Sequence, residues 1–351
     1  MTEISARAGM VQHTYLRPNV WTLPVVGAMV YPLLVKGFIV SVETYKANDA
    51  LVAKTVLAVV ALGFMALELA VPLMALRALL KIRTSVEPNA PLLRRMLHFA
   101  FATPPAQTLS GFAADAVGIP PSWAWYGGWA ILAAIALLVR KGSSTTLPGT
   151  SRAWTRLRKI HGYSALLLIV GFLSLHLSNH LAAVWTVHAQ EVVMTFLRRW
   201  YRSDWVQPII LALFGTMIVT GVLMVSRYTA SAVDKFRTLQ TASGAYFAAF
   251  VGSHTLAVFF GRANNIDTNW DFAAGGPLGL LHQAWRGTLI DYYALSVFLI
   301  VVHVALGVRI VLLGHGTKEV TANRVFYAGV AASALLTALI MAATLGLHLG
   351  S

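Results

Sequence analysis

Four histidines sit inside long apolar runs of this sequence: His176 and His180 in one run, His254 in a second and His303 in a third. An ionisable side chain within a bilayer is costly, so such residues face the interior of a bundle and carry a task. Depth is the useful measure. Let side A be the face of the membrane next to the N-terminus and side B the other. At ~1.5 Å rise per residue, His176 then lies ~23 Å in from side B. His254 lies ~20 Å in from side B, on a helix expected to run in the same direction. Two such helices bring an imidazole to one level. Neutral imidazole is a good iron ligand, so a flat macrocycle between these two rings could be clamped from both faces. His303, on a helix of opposite sense, lies ~10 Å from side B, and Met217 lies ~17 Å from side A. These two could flank a second macrocycle. A His/Met pair would raise its reduction potential relative to two histidines.

Every one of these residues has a plainer reading. A buried histidine can be a hydrogen-bonded packing residue, and a methionine in an apolar helix commonly fills gaps in a core. His180, one turn beyond His176, is placed to hydrogen-bond a haem propionate or a quinone, or to sit at the interface beside Asn179. His161, His188, His282 and His315 fall at span ends and read as solvated or interfacial. Ser164, Ser243 and Gly244 precede the histidines by about three turns, and Gly221 and Gly307 follow Met217 and His303 by four residues. Small residues let a macrocycle, or simply another helix, approach the backbone. Arg262 is placed for a propionate on side A, with snorkelling as the alternative. Lys36 and Glu68 differ in depth by ~13 Å, so they do not pair. Lys36 snorkels to side B. Glu68 stays near the level of His176 and His254, as a proton carrier for a quinone or as a structural carboxyl.

The elements that must position these groups are membrane helices. The chain has 351 residues, 57% hydrophobic and 11% charged, where a soluble domain carries about a quarter charged. Apolar runs near 20 residues recur along the whole length. They predict an all-α, polytopic bundle of about eight spans: Trp21–Val42, Thr55–Leu79, Ser122–Val139, His161–Trp185, Val206–Val225, Thr241–Phe260, Asp291–Leu313 and Phe326–Leu347. Leu80–Pro121 reads as a long connection with an amphipathic piece at Leu92–Phe101, because Arg94, Arg95 and prolines interrupt it. The organisation expected is a three-helix N-terminal region over 1–141, a basic linker over 142–160 and a five-helix bundle over 161–351.

Exclusions narrow the chemistry. The absence of cysteine removes disulfides, iron–sulfur clusters and thiolate-bound zinc or haem. No P-loop, dinucleotide fingerprint, HExxH or GxSxG occurs, so the chain has no catalytic domain of its own. The net charge of +14 sits mostly between apolar runs and so speaks of membrane topology, not of nucleic acid. No cleavable leader is expected at the polar N-terminus. In the C-terminal part, side B collects Arg140, Lys141, Arg152, Arg156, Arg158, Lys159, Arg227, Lys235, Arg237, Lys318 and Arg324. Side A collects Arg198, Arg199, Arg202, Arg262 and Arg286. That contrast points to side B as cytoplasmic, but Lys81, Arg83, Arg94 and Arg95 spoil it by falling on side A.

Four stretches between about Arg156 and Leu349 resemble the membrane cytochrome b anchors of succinate dehydrogenases and fumarate reductases. They look especially like the related anchors of some bacterial adenylate cyclases. His161-Gly-Tyr-Ser followed by Leu-His176-Leu-Ser-Asn-His180 is similar to the family's first helix, with a haem ligand at the His176 position. Leu239-Gln-Thr-Ala-Ser-Gly244, with His254 ten residues on, resembles the third helix and its axial partner. Val302-His303-Val-Ala-Leu-Gly307 resembles the fourth helix. Trp205 to Leu223 matches the second helix, but the histidine that di-haem members carry there falls on Met217. The resemblance implies one bis-histidine haem b at His176 and His254, with a second only if Met217 or another ligand serves. It also implies a quinone as exchangeable ligand, a soluble redox or signalling partner, possible oligomers and a bacterial inner membrane. The function expected is electron transfer between the quinone pool and a partner, or sensing of the pool's redox state. A haem-free scaffold or sensor is the first alternative. A small-solute transporter with Glu68 and Lys36 along its path is the second.

Overall fold

The computed structural model describes residues 18–138, 151–276 and 279–350. Among these residues the chain is all-helical, with no β-strand. Seven helices are long and apolar enough to cross a membrane. In chain order the helices of the N-terminal part are α1 (Pro18–Ala47), α2 (Leu51–Ile82), α3 (Ala90–Phe101), α4 (Thr103–Ala116) and α5 (Pro121–Leu138). Then come α6 (Arg152–Leu168), continued through a π-turn at Ile169–Leu173 into α7 (Ser174–Trp185), and α8 (Val187–Tyr201). They are followed by α9 (Val206–Thr229), α10 (Lys235–Ala263), α11 (Trp270–Ala274), α12 (Ala284–Gly287), α13 (Leu289–Gly314) and α14 (Glu319–Thr344).

The expected span at Ser122–Val139 is the 18-residue α5, which is not among the seven. Val139, the last residue of that expected span, lies outside the described residues. Of the expected linker, residues 142–150 lie outside the described residues, and the rest already belongs to α6. Ser151 caps that helix by accepting from the Trp154 N–H at 3.2 Å.

The largest departure is the Leu80–Pro121 connection. It holds two helices, α3 and α4, and they pack along α10 over most of its length. His98 Nε2 lies 3.0 Å from Thr241 Oγ1, the rings of Phe101 and Tyr246 are 5.8 Å apart, and those of Phe112 and Phe260 are 6.2 Å apart. From Thr241 to Phe260 is ~28 Å along a helix, close to the thickness of the hydrocarbon core. Arg94 and the prolines hid this packing, and the fold accommodates both. Pro104 and Pro105 occupy the first turn of α4, where a missing N–H costs nothing. Arg94 is buried and donates to the carbonyls of Ile82, Ser85 and Thr229, groups at or just beyond the ends of α2 and α9 that lack helical partners.

The contacts at the helix ends reverse the N-terminal helices relative to the expectation. Keep side B for the face at which α6 begins. The Val233 N–H donates to the Arg83 carbonyl at 3.2 Å, so the end of α2 lies on side B beside the α9–α10 connection. At the other face, Lys46 donates to the His282 carbonyl at 2.5 Å, so α1 ends on side A. α1 therefore runs from B to A, opposite to the expectation. Lys81, Arg83, Arg94 and Arg95 join the basic residues of side B, and the conflict in the charge distribution disappears.

The N-terminal helices are not a separate body. Val25, Tyr31, Val71, Leu97 and Phe101 share one core with Ala242, Tyr246 and Leu299. Small residues allow the closest approaches. A Cβ on Gly37 would lie 2.5 Å from the Phe64 ring, and one on Gly329 would lie 2.7 Å from Ala305 Cβ.

Candidate functional site

α6, α7, α9, α10 and α13 surround a cavity of about 1280 Å³. A ligand pocket for one small molecule is ~300–1,000 Å³, so this space exceeds one such ligand. Arg158, Lys159 and Arg237 line its side-B end, and Arg198, Arg202 and Arg262 line its side-A end. Along α10, Arg237 and Arg262 are ~38 Å apart. The walls between are apolar, with few polar groups. His161, His176, His180, His254, His303 and Met217 all line it.

Toward side A, His176 on α7 faces His254 on α10, with ring centroids 6.1 Å apart and planes at 72°. Edge-to-face ring contacts span the same range. What distinguishes this pair is that neither ring hydrogen-bonds to the protein among the described residues. Phe172 stacks on His176 at 5.1 Å and Phe250 on His254 at 5.3 Å, so both imidazoles are held in place by flat apolar neighbours. The π-turn ahead of α7 adds one residue to the helix. The 15 residues from His161 to His176 then turn like about 14, close to four full turns, which keeps both histidines on the cavity face.

His180 lies 4.8 Å from His176, ring to ring, and 6.3 Å from Trp270. Its Nδ1 is buried without a partner, as are Asn179 Oδ1 and Gln190 Oε1. All three residues line the cavity. Buried polar atoms are nearly always paired, so such a group marks where a bound molecule or water completes the site. At the side-A mouth, Arg262 donates to Gln207 Oε1 at 2.8 Å, Arg202 to Thr268 Oγ1 at 2.7 Å and Arg198 to Asp267 Oδ1 at 2.9 Å. Burial pulls the Arg202 guanidinium below its ordinary range, and the nearby charges of Arg198 and Arg262 add to that. An anion at this mouth would relieve three clustered cations, of which Arg198 is ion-paired, with Asp267.

Toward side B, Ser243 Oγ lies 2.8 Å from His303 Nδ1, and a Cβ on Gly244 would lie 3.3 Å from His303 Cε1. Thr220 Oγ1 lies 2.8 Å from His161 Nδ1. His161, expected to be a solvated span end, is thus in the bundle, while Met217 lines the same stretch one turn before Gly221. Ser164 is buried on α6, one turn beyond His161. What hid His161 was the cationic Arg156–Lys159 run just before it, which moved the expected membrane boundary inward.

Glu68 is 1% exposed, with Oε1 unpartnered. It interacts electrostatically with Asp291, whose Oδ2 accepts from Tyr31 OH at 2.8 Å. The next residue, Tyr292, holds its hydroxyl 2.9 Å from the Ser253 hydroxyl, directly beside His254 in the chain. Polar contacts thus join Tyr31 of α1 to Asp291, and Tyr292 to Ser253 beside His254. Tyr31 and Asp291 carried no signal in the sequence: Tyr31 lies midway along an unremarkable apolar run and Asp291 at the edge of another.

Among the described residues, no cluster of three or more His, Asp or Glu side chains has the spacing to hold a bare metal ion. No protein-family model matches the chain, and no curated protein or solved structure matches it either.

Proposed function

We propose that this chain is a haem b-binding membrane protein that passes electrons between the quinone pool and a partner, or reports the redox state of that pool. The observation that carries this reading is the His176–His254 pair. Iron held by two imidazoles needs ring centroids about 6 Å apart, two metal–nitrogen bonds of about 2 Å plus a ring radius on each side. The measured spacing is 6.1 Å. A macrocycle brings its own equatorial nitrogens, so two protein ligands suffice where a bare ion would need three or more. Haem b, when bound, supplies one-electron redox chemistry.

The chain's own residues have distinct tasks in this reading. His176 and His254 would hold the group, and Phe172 and Phe250 fix their rings. Arg198, Arg202 and Arg262 would neutralise its carboxylates at the side-A mouth. Asn179, His180 and Gln190 offer unpartnered polar atoms to an exchangeable quinone headgroup. Glu68 stands where a proton could be passed toward the same level. The resemblance to the cytochrome b anchors agrees with this assignment, and it adds a bacterial cytoplasmic membrane with the cation-rich side B inside.

A reduced-minus-oxidised spectrum of the detergent-purified chain tests the reading. A b-type haem signal is expected, with one and the same component lost in His176→Ala and in His254→Ala. A spectrum without haem, or one unchanged in both variants, would leave the haem-free scaffold in its place.

A further inference from the structure

We propose that the side-B end of the cavity seats one anionic phospholipid of the side-B leaflet. Its phosphate sits on Arg158, Lys159 and Arg237, and one acyl chain lies in the gap between α6 and α13. The site uses neither histidine of the haem reading and does not depend on it.

The first support is charge without a counter-charge. Arg158, Lys159 and Arg237 line the cavity at side B, and among the described residues no aspartate or glutamate lines it. Among those residues, too, none of the three cations is ion-paired. Ring contacts fix their grouping. Trp154 of α6 lies 5.9 Å from Tyr228 of α9, ring to ring, and the Arg237 guanidinium sits 4.5 Å over the Tyr228 ring. The starts of α6 and α10 thus meet across the end of α9, and Arg158 stands one turn beyond Trp154. Arg158 is ~9 Å into α6 and Arg237 ~3 Å into α10, the level of lipid headgroups. Trp and Tyr belong at that level, and a basic pocket between membrane helices on the cation-rich side is where anionic headgroups bind.

The second support is a side opening. A cavity open only to water would suit a soluble anion. Here α6 packs on α9, while α13 packs on α10 and α14. Tyr163 and Leu166 of α6, with Val308 and Val311 of α13, line the cavity and are exposed as well. A side chain is both only where the cavity opens beside it. All four lie within candidate spans, so the opening faces acyl chains.

The third support is room of the right kind. Gly162 and Gly307 line this stretch and have nothing within 4 Å of where a Cβ would stand. Its polar groups are turned to one another, Thr220 to His161 and Ser243 to His303, at 2.8 Å each. What remains for a guest is apolar surface, which takes a hydrocarbon chain.

The probe is a phosphatidylglycerol with a photoreactive group halfway along one acyl chain, added to the delipidated full chain in neutral detergent. One probe per chain should bind, ahead of the phosphatidylcholine analogue, and cross-link to the peptides holding Tyr163 and Val308. In Arg158→Gln/Lys159→Gln/Arg237→Gln the affinity should fall about 100-fold, at roughly fivefold per cation. Lys318→Gln/Arg324→Gln removes two side-B cations that do not line the cavity and should leave binding as it was. Gly307→Leu fills the gap and should abolish cross-linking there with the charge unchanged. Equal binding of the two lipids, equal losses in the two charge variants, or cross-links spread over α14 overturn the site. Binding lost with the cations but untouched by Gly307→Leu overturns the seated chain and leaves surface attraction. Competition by inorganic phosphate beyond that of chloride at equal ionic strength overturns the lipid in favour of a free anion. Should the charge variant fail to fold, the cross-link map of the native chain still decides between the gap and any other place. No readout here involves haem, so this proposal and the haem reading fail separately.

Discussion

The Val233 N–H and the Arg83 carbonyl, 3.2 Å apart, tie the end of α2 to the start of α10 and so set the direction of every helix before α5. Residues 150 positions apart in the chain meet at one face of the membrane. Arg94 reinforces the tie by donating to carbonyls on both sides of it.

The chain contains no cysteine, so single introduced cysteines report sidedness without background. Thr84→Cys and Lys235→Cys should react with an impermeant thiol reagent from the same face. Asp49→Cys and Val117→Cys should react from the opposite one. Labelling of Thr84→Cys and Val117→Cys from one face would mean that α3 and α4 do not cross.

Arg94 satisfies three backbone carbonyls while buried. Arg94→Ala strands the Ser85 and Thr229 carbonyls, while that of Ile82 keeps the Ser85 N–H, and each unsatisfied buried group costs about 1–3 kcal/mol. A large drop in thermal stability in detergent is expected. Arg94→Lys should recover little of it, because one ammonium cannot reproduce the fork of a guanidinium. Full rescue by lysine would show that charge, and not geometry, is what Arg94 provides.

Two glycines on the first pair of helices should behave oppositely. In Gly37→Ala the new methyl meets the Phe64 ring at 2.5 Å, so overpacking should cost about 1–3 kcal/mol. Gly63 has nothing within 4 Å of its Cβ position, so Gly63→Ala should be neutral or stabilise by about 0.5–1 kcal/mol. Thermal unfolding of the two variants side by side checks the contrast. Equal stabilities would mean that α1 and α2 do not approach as closely as described.

Glu68→Gln preserves shape and removes the ionisable proton. Melting should stay near that of the native chain. Under the proposed haem reading, reduction of the haem by a short-chain quinol should slow about 10²-fold, the scale of a lost acid–base group. Reduction by dithionite should be unchanged. An unaltered quinol rate would reduce Glu68 to a structural carboxyl.

Hydrophobic runs and the placement of histidine within them were enough to read a helical membrane bundle and to single out His176, His254 and His303. Both are local properties: twenty apolar residues cannot stay in water, and an imidazole among them needs a partner whatever the neighbours are. The packing of α3 and α4 along α10, the contact of His161 with Thr220 and the Tyr31–Asp291 contact were beyond local reading. Arg94 beside two prolines looks like surface sequence until the carbonyls that satisfy its guanidinium are known, and those come from helices more than a hundred residues away as well as from α2. His161 looks like a span end until α9 brings Thr220 against it. The cost of burying a polar group depends on what it bonds to, and in a bundle those bonds are made by tertiary packing alone.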